Sequence, residues 1–202
     1  MRYVFILPFS TKLPTLESDE ILVGVDRGAL IALKNGYRLD YAIGDFDSVS
    51  EAELELIKGY AKSFIKLNPE KDLTDTEYAI NYFKDADEIL IYGGIAGKRV
   101  DHLYANINLC LKYPNLTFID STTKIMAIPQ YISLNEDYYF YSFFAREGST
   151  ISLSGFKYEL TDYTFSKADN LCISNEACSA NPTISFKGEG IMIMTVYDNE
   201  KE

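Results

Sequence analysis

The sequence predicts two parts: an α/β region with a mostly parallel sheet and helices on both faces, followed by an all-β sandwich. Three observations carry this reading. Short β-branched runs alternate with helix-period stretches up to about residue 120. Alternating, aromatic-rich segments without helical periodicity take over after Lys124, and Ser121-Thr122-Thr123 separates the two textures. The expected division is therefore 1–122 and 123–202. With 47% hydrophobic and 14% aromatic residues, the chain has enough apolar material to pack both parts.

In the first part the expected strands are Tyr3–Leu7, Glu20–Val25, Tyr41–Ile43, Phe64–Leu67, Glu88–Tyr92 and Leu116–Asp120. They are short apolar runs, as strands covered on both faces are. Between them, Gly28–Asn35, Ser50–Tyr60, Thr74–Lys84 and Arg99–Lys112 carry apolar residues at three- and four-residue spacings and read as helices. In the second part the expected strands are Lys124–Pro129, Tyr138–Phe144, Thr150–Leu153, Tyr163–Phe165, Thr183–Phe186 and Ile191–Tyr197. Of the 28 aromatics, 11 lie between Tyr131 and Phe165, which is core density rather than linker density. No internal repeat or low-complexity tract is present.

A net charge of −11 argues against a general nucleic-acid backbone binder and favours a metal cation as partner. Cys110, Cys172 and Cys178 form no C-x-x-C pair, and with one histidine the chain has too few ligands for a His/Cys zinc site. The odd cysteine count suits a reducing cytosol. The apolar N-terminal run is cut short by Pro8 and Lys12, unlike a signal peptide, and no window suits a membrane span. A cytoplasmic protein without nucleic-acid or membrane partners is expected.

Parallel α/β sheets bind ligands beyond the carboxyl ends of their strands, so the chemistry is sought in the loops that follow them. Asp26-Arg27-Gly28-Ala29 follows the second strand and could bring backbone N–H groups to a phosphate; a turn and helix cap explain it as well. Gly44-Asp45-Phe46-Asp47-Ser48 follows the third. If that segment stays extended, its two carboxylates share a face and repel, which a Mg²⁺ ion would relieve. A solvated Asp45 and a helix cap from Asp47 or Ser48 fit the same residues. Lys71-Asp72-Leu73-Thr74-Asp75-Thr76-Glu77 is explained by Thr74 capping a helix with an acidic first turn, leaving Lys71 and Asp72 open. Gly93-Gly94-Ile95-Ala96-Gly97-Lys98-Arg99-Val100-Asp101-His102 combines glycines with two cations at a helix start. It fits an anion better than a plain flexible turn, yet it is neither a Walker A loop nor G-x-G-x-x-G. Carboxylates for a divalent metal beside a cationic glycine loop suit phosphoryl or pyrophosphoryl transfer.

These strings, in this order, resemble the thiamine pyrophosphokinases. The resemblance continues through Gly155-Phe156-Lys157-Tyr158-Glu159-Leu160 and Ile173-Ser174-Asn175-Glu176, so it spans nearly the whole chain. It implies transfer of pyrophosphate from ATP, the co-substrate, to the hydroxyl of thiamine, with Mg²⁺, giving thiamine diphosphate and AMP. It also implies a homodimer with active sites between subunits. On the family's pattern Asp45, Asp47 and Asp75 hold metal and phosphates, with Asp72 and Thr74 beside them. Arg99 and Asp101 contact ATP, and Ser174 and Asn175 belong to the thiamine pocket. Asp26, Arg27, Gly28, Gly94, Gly97, Lys98 and His102 complete the expected nucleotide-binding set. The acceptor of the hydroxyl proton is left open among Asp45, Asp72, Asp75 and Asp101; His102 reads more naturally as a polar residue opening a helix. In two places the chain departs from the family: Lys98 stands where a glycine pair is usual, and Arg27 replaces a loop glycine. Two other functions compete, a non-catalytic sensor of nucleotides or thiamine compounds and a Mg²⁺-dependent nucleotide hydrolase; the complete acidic set argues against the sensor.

Overall fold

The structure is a computed structural model describing residues 1–97, 99–134 and 138–196. Two compact units form, Met1–Leu109 with Asn115–Ser121, and Cys110–Pro114 with the chain from Thr122.

The first unit contains strands β1 (Arg2–Ile6), β2 (Ile21–Val25), β3 (Leu39–Gly44), β4 (Ala61–Lys66), β5 (Glu88–Tyr92) and β6 (Leu116–Ile119). They lie in the order β6-β5-β1-β2-β3-β4, and every pairing is parallel. Val4, Phe5 and Ile6 of β1 and Leu116 and Phe118 of β6 are almost wholly buried, which explains their continuous rather than alternating apolar pattern. From β1 the chain proceeds to β2–β4 on one side and to β5 and β6 on the other. The switch in strand order therefore falls at the carboxyl ends of β1, β2 and β5.

Helices α1 (Arg27–Lys34), α2 (Glu51–Tyr60), α3 (Asp75–Tyr82) and α4 (Val100–Lys112) lie within a residue or two of their expected bounds. Their starts are chemically specified. Ser50 and Glu53 form a reciprocal capping box on α2, and Thr74 accepts from Glu77 N at 3.1 Å on α3. The cap of α2 is thus Ser50, not Asp47 or Ser48. In this unit one strand boundary departs further: β4 begins at Ala61, immediately after α2, instead of near Phe64. Ala61 is already extended (φ −89°, ψ 136°) and pairs with Leu39, so β3 recruits the segment without an intervening turn.

The second unit pairs β7 (Thr123–Ala127), β14 (Gly190–Thr195), β9 (Phe140–Ala145) and β12 (Asn175–Glu176) in one antiparallel group, in the order β12-β9-β14-β7. A four-stranded sheet holds β11 (Leu160–Thr164), β10 (Thr150–Ser154), β13 (Thr183–Lys187) and β8 (Tyr131–Ser133), in the order β11-β10-β13-β8. Tyr141, Phe143, Met192 and Met194 from the first layer meet Ile151, Leu153, Ile184 and Phe186 from the second in one core, as in a sandwich. β8 and β12 are not expected from the sequence. Each is short and exists because a neighbouring edge, β13 or β9, supplies backbone partners. Among the described residues no helix is long and apolar enough to cross a membrane.

Candidate active site

A pocket of about 610 Å³ opens in the first unit at the switch in strand order. Its wall comes from Leu7, Pro8 and Phe9 after β1, Val25, Asp26 and Arg27 at the end of β2, and Asp47 and Ser48 after β3. Thr74, Asp75 and Thr76 at the start of α3 continue it, and Gly94, Ala96, Gly97, Arg99, His102 and Asn106 close it.

The acidic side is built on strained backbone. Asp26 stands before α1 at φ 47°, ψ −129°, and its side chain makes no cap hydrogen bond. Instead its Oδ2 accepts from Ser48 Oγ at 3.0 Å, while Arg27 Nη1 donates to Ser48 O at 2.9 Å. The simple capping explanation of Asp26 therefore fails. Phe46 also has a left-handed backbone (φ 58°), held by burial and by stacking on Phe64 with ring centres 5.0 Å apart. The Asp45–Asp47 segment is consequently a turn, closed by Asp47 N donating to Asp45 Oδ1 at 3.2 Å, so the condition of an extended run is not met. The carboxylates converge all the same: Asp26, Asp45 and Asp47 each bring an oxygen within 4.8 Å of the others.

Asp75 joins this corner through a residue that the sequence reading left without a role. Lys71 Nζ lies 2.8 Å from Asp75 Oδ1 and 3.3 Å from Asp45 Oδ2. Burial pushes the Asp75 carboxyl up from its ordinary range, against the pull of Lys71. Burial raises Asp26 likewise, only partly offset by hydrogen bonds from the Arg27 backbone and Ser48. Desolvation opposes the Lys71 charge, but the hydrogen bonds and charges of Asp75 and Asp45 outweigh it and raise its pKa. Asp26 Oδ1 and Asp75 Oδ1 are both buried with no hydrogen-bond partner among the described residues, Asp75 Oδ1 being met by the Lys71 ammonium as an ion pair. A buried carboxylate with an orphaned oxygen, converging with two more carboxylates, is a donor set suited to a hard divalent cation.

On the glycine side, Gly93, Gly94 and Gly97 all have positive φ, at 98°, 78° and 122°. Gly94 O accepts from Asn106 Nδ2 at 2.7 Å, which ties the loop to α4. Arg99 is exposed and makes a forked pair with Asp101, Nε to Oδ1 at 2.9 Å and Nη2 to Oδ2 at 2.6 Å. That hydrogen bonding holds the Asp101 carboxyl down to about 2.

Of the expected residues, Asp26, Arg27, Asp47, Thr74, Asp75, Gly94, Gly97, Arg99 and His102 are thus brought together on the wall. Asp45 connects to it through Lys71 and Asp47. Asp72 is exposed and off the wall, Asp101 is off the wall and paired with Arg99 on it, and Lys98 lies outside the described residues. Gly28 is buried off the wall, where any Cβ would collide with the Ile6 carbonyl, so its small size serves helix–strand packing. In the second unit, Ser174 is exposed with φ 54°, and its N donates to Ser142 Oγ at 3.0 Å. Asn175 is buried and committed to backbone: its Oδ1 accepts from Tyr158 N at 3.1 Å and its Nδ2 donates to Tyr158 O at 2.8 Å. Leu7, Pro8, Phe9, Asn106 and Lys71 were missed. The first three were findable, since they follow a predicted strand at its carboxyl end.

Comparison with known proteins agrees along the chain. The family profile described as thiamin pyrophosphokinase, catalytic domain, matches residues 14–123, and that described as thiamin pyrophosphokinase, vitamin B1 binding domain, matches residues 130–190. A thiamine pyrophosphokinase of Bacillus subtilis is 36% identical over 189 residues, covering 88% of this chain and 87% of the relative. The crystal structure of a B. subtilis thiamine pyrophosphokinase superposes with a TM-score of 0.83 at 31% identity, covering 96% of this chain and 99% of that one. That of a thiamin pyrophosphokinase from Geobacillus thermodenitrificans gives 0.85 at 30% identity, covering 99% of both.

Proposed function

The chain belongs to the thiamin pyrophosphokinase family, and from that premise we infer that it transfers pyrophosphate from ATP to the hydroxyl of thiamine, releasing AMP and thiamine diphosphate. The observation that supports this most directly is one pocket lined by convergent carboxylates and by a glycine loop carrying Arg99. Residues 1–122 supply the ATP site and residues 123–202 the thiamine-binding part. The active protein is a cytoplasmic homodimer with sites between subunits; sedimentation showing a fully active monomer would overturn the dimer.

The reading includes Mg²⁺. On the family's pattern Asp45, Asp47 and Asp75 would hold it: Asp45 and Asp47 converge with Asp26, whose orphaned Oδ1 is a further oxygen donor, and Asp75 is tied to Asp45 through Lys71. When bound, such an ion neutralises polyphosphate charge and acts as a Lewis acid on a phosphoryl oxygen. The rest of the work falls to the chain. The glycine loop offers backbone N–H groups to the phosphates, and Arg99 offers its guanidinium fork after exchanging Asp101 for phosphate oxygens. Thr74 and Thr76 present hydroxyls beside Asp75. Among the four carboxylates weighed for proton transfer, Asp75 is the one on the pocket wall. Ser174 contributes to the thiamine pocket directly, and Asn175 contributes by fixing the Tyr158 backbone.

The test is AMP production from ATP and Mg²⁺ with and without thiamine, by chromatography that resolves thiamine monophosphate from the diphosphate. Thiamine-dependent AMP with an equal amount of thiamine diphosphate is expected. AMP released without thiamine would indicate a hydrolase, and binding of both ligands without turnover a sensor.

A further inference from the structure

We propose that Lys71 is a positioning residue that stands in for the metal in the free enzyme, bridging Asp45 and Asp75 until the metal and nucleotide arrive, and then turning its ammonium toward the phosphates. The inference rests on the Mg²⁺ reading above.

Asp45 and Asp75 come from different segments, one after β3 and the other at the start of α3. One ammonium joins them, 3.3 Å from Asp45 Oδ2 and 2.8 Å from Asp75 Oδ1. The side chains of Lys71, Asp45 and Asp75 are only 16%, 13% and 20% exposed, so the bridge is far less screened than a surface pair. Among the described residues Lys71 is the cation on this corner. Arg27 is spent on the Ser48 carbonyl, and Arg99 on Asp101.

A single ammonium offsets one charge among Asp26, Asp45, Asp47 and Asp75, which leaves the corner strongly negative. A divalent cation between the same carboxylates would sit against the ammonium, and the like charges would repel. The two therefore compete for Asp45 and Asp75. Lysine suits the exchange better than arginine: it carries a point charge on a flexible four-carbon stem and can swing away without moving backbone. Polyphosphate arriving with the metal supplies the anion that the ammonium then faces.

The test measures Mn²⁺ binding without nucleotide, by the paramagnetic resonance of free Mn²⁺, for the parent, Lys71→Met and Lys71→Gln. Thermal melts in EDTA and in excess Mn²⁺ accompany it. Removing the competing charge should tighten Mn²⁺ binding about tenfold in both variants. It should also lower the melting temperature in EDTA, with recovery in Mn²⁺, and raise KM for ATP. A lysine that merely props up the fold would give the opposite sign, weaker metal binding on removal. Mn²⁺ affinity in the variants equal to or below the parent's overturns the role of Lys71 while leaving the metal reading intact. No Mn²⁺ binding by parent or variants, with or without ATP, overturns the metal reading itself.

Discussion

The loops after β2 and β3 hold Asp26 and Asp45 part-buried and are joined to one another across separate segments, whereas in the loop after β5 Arg99 stands exposed and is paired with Asp101, a near neighbour in sequence. On the acidic side, Asp26 and Phe46 occupy left-handed backbone, Ser48 links the two loops, and Lys71 ties Asp45 to Asp75. On the glycine side, three positive-φ glycines carry the chain to Arg99, whose partner Asp101 is two residues away and as exposed as itself. The first arrangement fixes donor positions before any ligand arrives. The second leaves a cation free to trade one anion for another. The difference teaches that the pocket is preorganised where a small ion needs a fixed cage and adaptable where a polyphosphate must thread in.

The largest effect should come from breaking the fixed side. Asp47→Asn keeps shape and removes one of the three converging charges. It should lower kcat/KM on the order of 10³-fold with little change in melting temperature. Turnover within a few fold of the parent would show that the cage is not where charge is stabilised. The same corner sets a pH dependence. Asp26 and Asp75 are raised, so the folded state keeps their protons to higher pH than the unfolded chain does. Ionising them costs stability as pH rises through the folded values, and protons displace metal as pH falls through them. Mg²⁺ affinity, measured calorimetrically, should therefore climb with pH above the ordinary aspartate range, and Asp26→Asn should flatten the climb.

A smaller loss is expected on the adaptable side. Arg99→Ala removes one exposed guanidinium from a loop that keeps its backbone donors, and KM for ATP should rise about 10- to 100-fold while kcat changes less. A loss as deep as that of Asp47→Asn would erase the contrast between the two sides.

Smaller still is the scaffold beneath the fixed side. The α2 capping box follows directly on the Asp45–Ser48 turn, and Ser50→Ala should cost about 1 kcal/mol, read by denaturant unfolding. Glu53 belongs to the same box, and hydrogen bonding from the Ser50 backbone holds its carboxyl down to about 2 from an ordinary 4.5. A depressed carboxylate stabilises the fold above its unfolded value and loses that contribution as pH falls. The parent should therefore lose stability between about pH 4.5 and 2, and Ser50→Ala should lose less of it over that window.

The two sides also differ in how much of them a reader of the sequence can see. Gly44-Asp45-Phe46-Asp47-Ser48 and the three-glycine loop are legible because residue type and strand-end placement coincide there. The parallel α/β frame is legible because buried strands and amphipathic helices have different periods. What stays hidden depends on distant partners. Asp26 looks like a helix cap until its backbone turns left-handed and its oxygen meets Ser48. Gly28 looks like a phosphate glycine until the Ile6 carbonyl is found against it. Lys71 carries no local mark of its two carboxylates, and β8 and β12 carry none of the edges that recruit them. In the second unit the alternating aromatics announce a sandwich, but whether Asn175 faces a ligand or ties down Tyr158 is decided by packing alone.

His102 tests the comparison at its least sensitive point. It is the chain's one histidine, lies on the pocket wall and follows Asp101, which makes it a tempting proton acceptor. Yet it sits exposed in the first turn of α4, on the adaptable side, and among the described residues no side-chain hydrogen bond orients it toward a reacting group. A general base needs a fixed position within reach of the proton it takes, and the fixed carboxylates lie in the other loops. His102→Asn should therefore keep kcat/KM within about threefold of the parent and leave the shape of the pH–rate profile unchanged, since removing an essential base takes its limb of the profile with it. A loss of about a hundredfold, together with disappearance of a limb near the histidine range, would move proton transfer to the glycine side and reverse the roles assigned to the two loops.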